Sequence, residues 1–144
     1  MIEADAVGLA VIRALAQAVR ETIGVERESG IGQGVGSRNS QVIHAGPCCA
    51  PGSNIAARCV RGKALLSELR AARGSALEDN ERQPSYSGAR PKLYAPGQPA
   101  ADFCIDGLSV QGVRGLRNLF GIESPGLPSS MAIAERAVGL LAAV

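Results

Sequence analysis

Between Ala6 and about Arg20 the apolar residues Leu9, Ile12, Leu15, Ala16 and Val19 recur with helical spacing, on a background of Ala and Arg that favours helix. The pattern predicts a helix with one buried stripe. From Glu21 to Glu26 the alternation through Thr22, Ile23 and Val25 predicts a short strand weakened by Gly24. Gly30, Gly32, Gly34 and Gly36 then alternate ahead of Ser37-Arg38-Asn39-Ser40, a loop able to adopt positive φ and bring backbone N–H groups near an anion. Gln41 to His44 reads as a short extended segment, and Pro47, Pro51 and Gly52 mark a turn. Ser53 is positioned as the N-cap of a second helix carrying Ile55, Cys59, Leu66 and Leu69, with Gly62 in its middle costing about 1 kcal/mol relative to Ala.

Periodicity stops at Ser75 to Pro84, where one large apolar residue stands among four charges. This stretch reads as a junction between residues 1–74 and 85–144. A Pro/Gly-rich segment from Ser87 to Pro99 follows, then strand candidates at Asp102 to Asp106 and Leu116 to Ile122. A turn at Glu123-Ser124-Pro125-Gly126 leads into a last helix from about Pro128, with Met131, Ala134, Val138 and Leu141 on one face. No internal repeat is present. The expected architecture is α/β, with three main helices around a small sheet built from the strand near Ile23 and the pair near Phe103 and Leu119. Its edge is poorly covered, which favours self-association.

The 144 residues suit one domain, and 46% of them are apolar. Fifteen basic against 13 acidic side chains leave a net charge of +2, too small for a polyelectrolyte nucleic-acid binder. No apolar run approaches the roughly 20 residues that span a bilayer. The four aromatic residues, Tyr86, Tyr94, Phe103 and Phe120, all lie in the second half, so the first half must pack with aliphatic side chains. Cys48, Cys49, Cys59 and Cys104 match neither a disulfide framework nor a metal motif and read as reduced thiols in a cytoplasmic protein. No metal site is expected.

A helix, a strand and an acid at the strand end reproduce the order of the second part of a dinucleotide-binding β-α-β unit. Gly8 fits the third glycine of G-x-G-x-x-G, and Glu26, 18 residues further on, fits the ribose-binding acid. The first two glycine positions hold Glu3 and Asp5. Two carboxylates where a diphosphate belongs are electrostatically wrong, and only Met1 and Ile2 precede them to form the first strand. An amphipathic helix followed by a strand accounts for the same residues.

Gly8-Leu9-Ala10, Arg13-Ala14-Leu15-Ala16, Glu26, Ser37-Arg38-Asn39-Ser40, Val42-Ile43-His44-Ala45-Gly46 and Pro51-Gly52-Ser53 resemble the N-terminal FAD-binding part of the D-amino-acid oxidase-type flavoproteins, in particular the L-2-hydroxyglutarate dehydrogenase-like members. Tyr86 to Leu93, Pro99 to Phe103 and above all the run from Asn118 to Leu127 resemble the C-terminal part of the same proteins. Family members carry a large substrate-binding region between these blocks, where this chain has the Ser75 to Pro84 junction.

The resemblance implies an incomplete FAD-binding Rossmann-like domain divided at that junction. It implies that Glu26 binds the adenosine ribose, that Gly8 packs helix against sheet, and that Ser37, Arg38 and Asn39 lie near the cofactor. His44 would face the flavin ring and orient or deprotonate the substrate hydroxyl. Arg90 would clamp the carboxylate of a small-molecule substrate. Gly121, Gly126 and Leu127 would form the turn that points the last helix at the flavin pyrimidine. Without the family context, His44 reads as a partly buried, hydrogen-bonded side chain and Arg90 as a solvated loop arginine. Two functions follow: an FAD-dependent oxidoreductase moving hydride from a 2-hydroxy or 2-amino acid to flavin, or an internally deleted, inactive remnant of such an enzyme.

Overall fold

The computed structural model describes residues 1–34, 49–73 and 92–142. Among the described residues four helices and two strands run in the order α1 (Ala6–Gln17), α2 (Asn54–Arg73), β1 (Cys104–Asp106), α3 (Leu108–Gln111), β2 (Asn118–Phe120) and α4 (Gly126–Ala142). The mixed α/β class expected from the pattern is found: three long helices and a small sheet. β1 and β2 pair antiparallel, with Cys104 opposite Phe120 and Asp106 opposite Asn118. The chain around Ile23 does not join them. Among the described residues its ladder is a single parallel bridge between Ile2 and Val25, closed by Val25 N–H to Met1 O at 2.8 Å and Glu3 N–H to Val25 O at 2.7 Å. Gly24 has no side chain to pack there, which weakens the segment as a strand.

α4 packs against both α1 and α2, so the first and last parts of the sequence share one core. Val11, Ala134 and Ala137 lie at its centre, with Met1, Ala10, Ala14, Leu15 and, from β2, Leu119 against them. The expected faces are therefore rotated. In α1, Gly8 and Val11 are buried, whereas Leu9 is 37% exposed and Val19, beyond the helix end, is 94% exposed with φ 55°. In α4 the buried residues include Ser129, Ser130, Ala132, Ile133, Ala134 and Ala137, in place of a stripe through Met131, Val138 and Leu141. Helices that meet closely select small side chains over large ones at the contact.

Gly62 shows how close the approach is. A Cβ there would stand 2.1 Å from the Pro128 carbonyl oxygen and 2.8 Å from Ser129 Cα. The helix-weakening glycine is thus the residue that lets α2 cross α4. Phe103 is the buried aromatic ring among the described residues, and covering it contributes about 2–3 kcal/mol.

The N-terminus of α2 is held by both halves of the chain. Ser53 Oγ accepts from Ala56 N–H at 3.1 Å, as its N-cap reading requires. The two preceding N–H groups are taken by Asp102, 47–48 residues away: Asn54 N–H to Oδ2 at 2.6 Å and Ile55 N–H to Oδ1 at 2.9 Å. Asp102 Oδ1 also accepts from Phe103 N–H at 2.8 Å, which fixes the carboxylate beside the start of β1. Arg61 and Glu135 join α2 to α4 in a two-point ion pair at the surface.

Two substitutions test this framework by urea unfolding. Asp102→Ala is expected to cost about 1–2 kcal/mol through the loss of the α2 cap. Gly62→Ala is expected to cost about 2 kcal/mol or more, although alanine is the better helix former, because its methyl meets backbone.

Candidate functional site

The turn entering α1 gathers the residues the sequence marks for dinucleotide chemistry. Glu3 has φ 81°, in the region that glycine occupies without strain. Gly8 lies against it: a Cβ at Gly8 would stand 2.1 Å from the Glu3 carbonyl oxygen. Any larger residue at position 8 would push α1 off the turn.

Asp5 is the N-cap of α1, 7% exposed, and its Oδ1 accepts from Ala6 N–H at 2.8 Å. A carboxylate in this place meets the positive end of the helix dipole. The glycine loop folds over it. Gly32 N–H donates to Ala4 O at 3.2 Å, and a Cβ at Gly34 would lie 3.1 Å from Asp5 Oδ2. Alternate glycines let the loop come this near to the carboxylate.

Glu26 closes the other side of the turn. Its Oε2 accepts from Ala4 N–H at 2.6 Å and its Oε1 from Glu28 N–H at 2.9 Å. These backbone donors, Glu28 first and then Ala4, lower the Glu26 pKa below the ordinary carboxylate value. Glu3 is displaced in the opposite direction. Loss of water around its carboxyl raises its pKa first, followed by the like charges of Asp5 and Glu26.

Gly121, Gly126 and Leu127 belong to a second turn, ahead of α4. Gly121 has φ 66° and is covered by Leu93, whose Cδ1 would lie 2.8 Å from a Cβ added there. Glu123 N–H donates to Gly121 O at 2.8 Å and Ser129 N–H to Pro125 O at 3.1 Å. Gly126 is buried against Ile122, while Leu127 is exposed. Beside this turn stands a cluster that sequence reading missed. Lys92 Nζ donates to Glu123 Oε2 at 2.8 Å and to the Tyr94 hydroxyl at 2.6 Å, and the ammonium lies 4.8 Å from the Tyr94 ring centre. The hydrogen bonds to Glu123 and then Tyr94 raise the Lys92 pKa. No local spacing links residues 92–94 to 123, so sequence held no signal for it.

Ser37, Arg38, Asn39, His44 and Arg90 lie outside the described residues, as does the junction at 75–84. Among the described residues a cleft of about 330 Å³ lies over α4 between α1 and α2, with Ala10, Ala14, Leu65, Leu69 and Met131 in its lining. None of the described candidate residues lines it.

Fifty-nine residues, 41% of the chain, are 63% identical to the mitochondrial L-2-hydroxyglutarate dehydrogenase of Arabidopsis thaliana. The chain carries an L-2-hydroxyglutarate dehydrogenase-like segment. The match spans 12% of the length of that relative. No protein-family model matches the chain. No described helix is long and apolar enough to cross a membrane.

The acidic turn has a pH signature. A carboxyl whose pKa is raised on folding binds its proton more tightly in the native state, so stability falls as pH rises from the unfolded pKa through the folded one. Glu3→Gln should therefore be more stable than the unsubstituted chain at pH 7, with the gain shrinking toward zero near about pH 4. Thermal unfolding followed across that range tests this, and a gain independent of pH would contradict it.

Proposed function

We propose that the chain is an L-2-hydroxyglutarate dehydrogenase-like module that has kept part of the FAD-binding frame and lost FAD-dependent hydride transfer. The observation that carries this reading is the Asp5 carboxylate, 7% exposed on the N-terminus of α1. In a dinucleotide fold that helix end faces the cofactor diphosphate, and the glycines before it give the phosphates room. Here a carboxylate takes the helix end, the Glu3 side chain stands at the first glycine position, and Ala4 N–H is engaged by Glu26. These residues do not fit FAD. The diphosphate would meet like charge and find the Ala4 and Ala6 N–H groups in use.

A second reading, an active FAD-dependent oxidoreductase that oxidises a 2-hydroxy or 2-amino acid, draws on the α4 turn. Gly121 at φ 66° and buried Gly126 set a helix start of the kind that stabilises an anion. In that reading Gly121, Gly126 and Leu127 serve the cofactor together with Gly8, Glu26, Ser37, Arg38 and Asn39. His44 and Arg90 serve a small carboxylate substrate. The thiols of Cys49 and Cys104 are outside any disulfide, which suits a reducing compartment such as the cytoplasm.

Purification followed by a visible spectrum separates the two. The inactive-module reading expects colourless protein whose addition leaves the fluorescence of free FAD unchanged. Yellow protein with about one flavin per chain would establish the oxidoreductase reading instead.

A further inference from the structure

We infer that the turn entering α1 is a dinucleotide-diphosphate cradle held shut by the chain's own carboxylates, and that removing the charges at positions 3 and 5 is enough to make it accept ADP. The inference rests on the inactive-module reading and supplies its cause. Shape, spacing and occupancy of the turn each support it.

The backbone still has the form that glycine would give. Glu3 sits at φ 81°, a conformation side-chain-bearing residues rarely adopt, so replacing it by Gly asks for no rearrangement of the main chain. The close contact that the third glycine provides is also present, since Gly8 leaves no room for a Cβ beside the Glu3 carbonyl. Turn and helix are thus held in the relation that brings a helix N-terminus to an anion.

What stands there is Asp5. Its Oδ1 takes Ala6 N–H at 2.8 Å, and the loop through Gly32 and Gly34 closes over it. A carboxylate attached to the helix it caps acts at an effective concentration that a free anion does not reach. Glu26 occupies Ala4 N–H, and the Glu3 carboxyl adds like charge to any phosphate that approaches. Ala4 N–H and Ala6 N–H are thus taken from within, and negative charge already stands where a diphosphate would approach.

The test is isothermal titration of the full chain with ADP, comparing the unsubstituted protein with the E3G/D5S variant. Serine at position 5 removes the charge and leaves only a neutral oxygen, which a phosphate can displace from Ala6 N–H. The unsubstituted protein should give no saturable binding, and E3G/D5S should bind at least about a hundredfold more tightly, about tenfold for each carboxylate removed. Should E3G/D5S fail to fold, E3G/D5N retains the cap in nearly the same shape and asks the same question. Equal ADP affinity in both proteins overturns the inference. So does the absence of binding to a variant whose circular dichroism matches that of the unsubstituted protein, a result that leaves the inactive-module reading standing. Yellow unsubstituted protein removes both.

Discussion

The structure depends on backbone meeting backbone at positions without a side chain. α4 lies against both α1 and α2, and Gly62 brings α2 onto the Pro128–Ser129 peptide with no space for a methyl group. Gly8 does the same for α1 and the turn at Glu3. The buried face of α4 continues the pattern with Ser129, Ser130, Ala132, Ala134 and Ala137. A chain with four aromatic residues cannot gain much cohesion from large rings, and close approach of helix axes supplies many small contacts in their place. The rotated faces of α1 and α4 follow from this: the side that comes nearest must be the side with the smallest residues.

Helix N-termini form the second organising theme. α1 and α2 both begin on aspartate carboxylates, Asp5 locally and Asp102 from the other half of the chain. In structural terms the two carboxylates act alike, each accepting backbone N–H groups that an isolated helix would leave unpaired. In functional terms they differ. Asp102 ties the C-terminal segment to α2, so the two parts of the sequence fold as one body. Asp5 caps α1 within its own turn, and in the reading we propose it keeps a diphosphate from that helix end. The same electrostatic preference thus serves cohesion between distant segments at one helix and local capping at the other.

Helical periodicity, the Ser53 cap and the two short strands near Phe103 and Leu119 were all readable from local pattern, and each appears within a few residues of its expected limits. The strand around Ile23 reduces to one bridge, because a strand needs a partner and alternation along the chain carries no information about one. The acid at Glu26 and the glycine at Gly8 were legible from spacing, as were the carboxylates at Glu3 and Asp5. Their consequence was not, since it lies in which N–H groups they occupy. The Lys92, Tyr94 and Glu123 cluster and the Asp102 cap had no sequence signal, because their partners are 29–48 residues apart.

The sequence by itself determined where helices begin, which turns require glycine, and that the dinucleotide pattern carries acids at two of its glycine positions. These are local properties, set by propensity, capping and φ preference within a few residues. Tertiary structure alone decided which helical faces are buried, why Gly62 is tolerated in mid-helix, and that Asp5 is enclosed on the helix it caps. Those outcomes depend on the distance between segments remote in sequence, and that distance is fixed only when α4 settles between α1 and α2.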